Sequence, residues 1–119
     1  MQYHLHNLDN NTIVELISDK IEILNVTDVL DIIGNAESIR SRKIIIRQEH
    51  MSPEFFELET GIAGEILQKF ANYDIRLAII GDFTTYNSKN LKDFIYESNK
   101  AGQFIFVSTL EEAIQRLSL

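Results

Sequence analysis

The run Asp82-Phe83-Thr84-Thr85-Tyr86-Asn87-Ser88 gathers hydroxyls, a carboxylate and an aromatic edge within one short stretch. Such a loop could grip a small ligand; read as an ordinary surface loop, it ends with Ser88 capping the next helix. A second candidate centre is Thr60-Gly61 with Glu65 close behind. The acids Glu65, Asp82, Asp93 and Glu97 include possible proton donors and acceptors. Glu65, however, falls on a polar helix side with Lys69 one turn later, the spacing of an exposed ion pair. Asp82 stands where turns favour aspartate for its local hydrogen bonds. No residue is therefore assigned to catalysis. His4 and His6 alternate, so a strand would point both to one face, and His50 is a conceivable third metal ligand. Spacing does not fix that third ligand, and an exposed N-terminal strand accounts for the pair more simply, so no metal is expected. Gly61-Ile62-Ala63-Gly64 lacks the lysine pattern of a phosphate loop, and no cofactor is expected. Lys89, Lys92 and Lys100 are interrupted by Asp93 and Glu97, the pattern of a solvated helix face.

Composition narrows the classes. The 119 residues suffice for one core, so residues 1–119 are read as a single domain. The absence of cysteine excludes disulfides, thiol nucleophiles and thiolate metal sites. A formal charge of −7 opposes nucleic-acid binding and favours a partner with a basic surface. No apolar run approaches the ~20 residues of a membrane span. The first residues, MQYHLHNLDNN, have neither the basic region nor the apolar stretch of a signal peptide, and the expected compartment is the cytoplasm.

Periodicity supplies the elements that position the candidates. Residues 61–73 predict a helix behind Thr60 as N-cap, with Ile62, Ala63, Ile66, Leu67, Phe70 and Tyr73 in one arc. The apolar run 75–80, ending at Gly81-Asp82, predicts a strand covered on both faces. Residues 2–8 and 12–17 predict a hairpin around Asp9-Asn10-Asn11, and a short strand is expected at 20–24. A helix over 26–39 starts at Asn25 or Thr27 and places Val29, Leu30, Ile33 and Ala36 on one face. A strand at 44–46 follows, then an apolar turn carrying Phe55, Phe56 and Leu58 after Ser52-Pro53-Glu54. Helix 89–101 has Leu91, Phe94, Ile95, Ser98 and Ala101 on one face and stops at Gly102. Strand 104–107 leads to Ser108-Thr109-Leu110-Glu111, a capping-box pattern, and a last helix with Leu110, Ala113, Ile114 and Leu117. The order β-β-α-β-α-β-α-β-α implies a mixed, mostly parallel sheet begun by a hairpin. Its functional edge lies beyond the strand C-termini and carries Gln48 to His50, Asp82 to Ser88, Ser108, Thr109 and Thr60-Gly61.

The segments FFELETGIAGEILQKF, LAIIGDF and SKNLKDFIYESNKAGQFIFVS resemble a bacterial family of domains of unknown function, the one numbered forty-one eighty. The resemblance spans nearly the whole chain and implies no particular reaction. The architecture is also similar to STAS domains, which include the bacterial anti-sigma-factor antagonists. Those domains have an early strand pair, a parallel strand, a loop and a helix beginning at a serine or threonine. In the antagonists that hydroxyl is phosphorylated at a partner-binding surface, so the resemblance implies a regulatory role for Thr60. The antagonists carry an Asp-Ser-Ser-Gly context there, whereas this chain has Leu58-Glu59-Thr60-Gly61.

Together these readings predict a non-enzymatic regulatory or protein-interaction module. Its binding or regulatory residues would be Thr60, Gly61, Glu65, Asp82, Tyr86 and Ser88. A small enzyme or ligand-binding domain using the crevice at the strand ends, and a structural homodimer, are the competing expectations.

Overall fold

The two alternating runs near the N-terminus form β1 (Gln2–Leu8) and β2 (Asn11–Ile17), paired antiparallel one residue to one from Gln2 against Ile17 to Leu8 against Asn11. The computed structural model describes residues 1–9 and 11–119. The expected turn at 9–11 therefore falls partly outside the described residues. The apolar runs that follow form β3 (Lys43–Arg47), β4 (Arg76–Ile80) and β5 (Phe104–Val107). All three are parallel to β2, and the spatial order is the chain order, β1-β2-β3-β4-β5.

Helices α1 (Val26–Ser38), α2 (Ile62–Asn72) and α3 (Lys89–Ala101) connect the parallel strands, and α4 (Leu110–Leu117) closes the chain. The cap of α1 is a reciprocal box. The Asn25 side chain accepts from the N–H groups of Thr27 and Asp28, while the Asp28 carboxylate accepts from those of Leu24 and Asn25. These bonds satisfy donors that a helix start otherwise leaves free.

The first three helices share one face of the sheet. Val29, Ile32, Ile33 and Ala36 of α1, Ala63, Ile66, Leu67 and Phe70 of α2, and Leu91 of α3 pack with Val14, Leu16, Ile44, Ile46, Leu77, Ile79 and Phe106. The opposite face buries Ile13, Ile45, Ala78, Ile80, Ile105 and Val107 with Ala113 and Leu117 of α4. That helix packs on β4 and β5. Arg76 holds its end: the guanidinium donates to the carbonyls of Gly102, Arg116, Leu117 and Leu119. A cation there meets carbonyls with no partner inside the helix. No helix among the described residues is long and apolar enough to cross a membrane.

Several expectations are corrected. The strand at 20–24 does not form. Only Ile23 makes a bridge, to Met51, because the N–H groups of Glu22 and Ile23 both turn to the His50 carbonyl. Leu30 and Tyr73 are exposed, and Ile32 takes the core position beside Ile33. The last helix is capped by Thr109, whose hydroxyl accepts from the Glu112 N–H, rather than by Ser108. The central helix starts one residue late, because Gly61 adopts a left-handed φ of 79° and occupies the cap position. Thr60 belongs instead to a 3-10 turn, Leu58–Thr60.

Candidate functional site

The C-terminal ends of β4 and β5 open into a hollow of about 620 Å³. Its position follows from a close approach. A Cβ at Gly81, just past β4, would lie 2.5 Å from Gln48 Oε1 and 2.7 Å from Gln48 Cβ. Only glycine lets the chain pass there. Gln48 then fixes the loop that follows. Its Oε1 accepts from the Asp82 N–H at 3.1 Å, and its Nε2 donates to the Tyr86 hydroxyl at 2.6 Å. Asp82 Oδ1 accepts from both the N–H and the hydroxyl of Thr84, closing a local turn. These two bonds hold the Asp82 carboxyl below its usual range. Phe83 sets its ring edge-on to Phe106 with centroids 5.3 Å apart, and Tyr86 stacks on Phe56 at 5.2 Å.

Phe83, Ile95, Phe106 and Val107 give the hollow an apolar lining, and Asp82, Thr84, Lys92, Tyr96, Asn99, Ser108 and Glu112 supply its polar groups. Two of these polar residues are committed to the fold. Asn99 Oδ1 accepts from the Phe106 N–H at 2.7 Å and its Nδ2 donates to the Phe106 carbonyl at 3.2 Å. Glu112 Oε1 accepts from the Ser108 N–H. Tyr96 is 66% exposed and offers its ring to a visitor. An apolar lining with Asp82, Glu112 and Lys92 around it suits a molecule or side chain that is partly apolar and partly charged. Asp82, held ionised by its hydrogen bonds, is a weakened proton acceptor, which favours binding over proton transfer.

Of the residues singled out by sequence, Asp82 lines this hollow and Thr60, Gly61, Glu65, Tyr86 and Ser88 do not. Tyr86 serves the loop through Gln48 and Phe56, and Ser88 caps α3 by accepting from the Leu91 N–H. Thr60 Oγ1 lies 3.0 Å from the Glu54 carbonyl and 2.8 Å from that of Glu57, and it accepts from the Ile62 N–H. Glu65 is exposed on the first turn of α2. Tyr96, Asn99 and Glu112 escaped notice, and Lys92 was read only as part of a solvated helix face. The helical spacing of Lys92, Tyr96 and Asn99 was the available signal for three of them.

A second polar centre lies on the α4 face of the sheet, on β1, β2 and β3. Glu15 is only 4% exposed, with its carboxylate 2.8 Å from His6 Nε2 and 2.7 Å from Arg47 Nη1. Burial pushes the Glu15 carboxyl up, and the bonds from His6 and Arg47 more than offset it, leaving it below the ordinary range. His4 stands beside His6, the ring centroids 4.6 Å apart. His50 does not join them. It is buried elsewhere, its Nδ1 accepting from the Arg47 N–H and its Nε2 donating to the Ser18 carbonyl. Both ring nitrogens are thereby occupied. No cluster of three or more His, Asp or Glu suited to a metal occurs among the described residues.

No curated protein and no solved structure matches the chain. A family model does, over residues 8–117, and its description is a domain of unknown function, DUF4180. With so much of its length matched, the chain belongs to that family.

Proposed function

We propose that the chain is a non-enzymatic, STAS-like regulatory module of the bacterial cytoplasm, holding a protein partner that presents a basic and partly apolar segment. The observation that carries the proposal is the hollow itself. It is apolar within, bears the two acids Asp82 and Glu112 against Lys92, and carries an exposed aromatic ring at Tyr96. The overall charge of −7 supports a basic partner. The STAS-like reading is supported by the element order and by the exposed Thr60, separated from α2 by Gly61 alone. A phosphate on Thr60 would stand near the first turn of α2, whose Ile62 N–H already donates to Thr60 Oγ1, an arrangement that favours an anion. It would also stand beside Glu57 and Glu59, so the added charge would act on a partner more than on stability. The second reading is a small ligand in the same hollow, favoured by a volume of about 620 Å³, within the range of ligand pockets.

Immobilised wild-type protein, Tyr96→Lys and Thr60→Glu, exposed to extract of the native cell, separate the readings. Mass spectrometry of retained proteins and metabolites is the measurement. The regulatory reading expects a protein kept by wild type and lost by both variants. A metabolite lost by Tyr96→Lys alone supports the ligand reading. Retention that is indifferent to Tyr96→Lys refutes both.

A further inference from the structure

The two edges of the sheet are finished differently. At the β5 edge, the Asn99 side chain takes both the N–H and the carbonyl of Phe106, blocking a new strand. At the other edge, β1 pairs with β2 along its whole length, and no described residue makes a backbone hydrogen bond to its outward side. An antiparallel strand turns half of its backbone groups away from its one partner. The common protections are missing from β1: Gln2–Leu8 contains no proline, lysine, arginine or carboxylate, and its one-to-one register leaves no bulge. Leu5 is 41% and Leu8 37% exposed on this same strand.

We infer that β1 is the seam of a symmetric homodimer, pairing antiparallel with β1 of a second copy so that the two five-stranded sheets run on as one. The strand suits a second copy of itself: β1 carries no carboxylate, so two chains of net charge −7 can meet there without opposing acids. A twofold axis through Leu5 sets Leu5 against Leu5, His4 against His6, Tyr3 against Asn7 and Gln2 against Leu8, with no like fixed charges opposed. The nearest buried acid, Glu15, is already paired with His6 and Arg47. A strand seam is smaller than the ~800 Å² per partner of a standard interface, so the dimer is reversible and depends on concentration.

Sedimentation equilibrium over a concentration series tests this in the full chain. Wild type is expected to pass from monomer to dimer. Leu5→Lys, at an exposed position, is expected to weaken association at least about tenfold while leaving circular dichroism, and the melt at concentrations where wild type is monomeric, unchanged. Leu5→Cys is expected to give an oxidised, disulfide-linked dimer of wild-type fold, and it decides the matter should Leu5→Lys fold poorly. A wild type that stays monomeric throughout overturns the inference. So does a dimer that Leu5→Lys leaves intact and Leu5→Cys does not cross-link.

Discussion

The sheet has two faces, and they are closed by different physics. Under α1, α2 and α3 lies a continuous apolar core with Phe55 and Phe70 fully buried in it. The other face has only the eight-residue α4, which packs on β4 and β5. Ile13 and Ile45 are nonetheless fully buried there. Polar residues stand beside them in register: His6 and Lys43 flank Ile13, and Glu15 flanks Ile45, which has Ala78 on its other side. Where helices are plentiful, burial is left to aliphatic and aromatic groups. Where they run out, polar residues stand beside the apolar ones, Glu15 pairing with His6 and Arg47, and Lys43 donating to Asn11.

The largest test of this contrast is Phe70→Ala. It deletes a ring from the closed face and is expected to cost about 3–5 kcal/mol in denaturant unfolding, whereas Gln68→Ala on the exposed side of α2 costs little. A similar loss from both would mean that the helix face is misassigned.

An intermediate effect is expected at Glu15→Gln, which leaves Arg47 and His6 without their anion and is expected to cost about 1–3 kcal/mol near neutral pH. Its pH dependence gives a sharper signature. The Glu15 carboxyl is lower in the folded than in the unfolded chain, so its contribution is present above the ordinary carboxylate range. It is lost as pH falls from that range through the folded value. Acid melts of Glu15→Gln should therefore be flatter than wild type in that interval. Replacing Glu15 and Arg47 together with leucine should recover most of the loss, because it removes the charge pair rather than half of it. Failure to recover would show that the pair does more than cover the face.

The smallest effect concerns α4. Thr109→Ala removes a cap bond and is expected to cost about 0.5–2 kcal/mol. Hydrogen exchange should rise across α4 and over Ile105 and Val107 beneath it, while Phe70 and its neighbours stay protected. Exchange rising equally on both faces would break the distinction between them.

Much of this plan was legible in the residues. Helix 89–101 is found at Lys89–Ala101, because Ser88 and Gly102 mark its ends by cap chemistry alone. The parallel strands declared themselves as short apolar runs. Failures came where contacts that neither propensity nor periodicity records decide the outcome. Residues 20–24 look extended, yet the His50 carbonyl takes their N–H groups, and nothing local announces that. Thr60 looks like a cap, but its hydroxyl lies against the Glu54 and Glu57 carbonyls, and the left-handed Gly61 takes the cap position. In the hollow, Asp82 was visible as a loop acid beyond a strand. Asn99 was not, because its role depends on β5 being an edge strand. Glu15 and Arg47 lie far apart in the chain and meet only because β2 and β3 are neighbours.

The sheet's strand order carries a kinetic consequence. Each strand pairs only with those before and after it in the chain, so no pairing waits on a distant segment. Loop closure then costs the entropy of one hairpin or one helical crossover at a time. Such a chain is expected to fold faster than a parallel sheet of the same size whose strand order interleaves distant segments. It also suits assembly during synthesis: β1, β2, α1 and β3 can form their ladder while α3 and α4 are still being made. Helix α4 emerges after all five strands, and Arg76 on the finished β4 is already in position to receive its carbonyls.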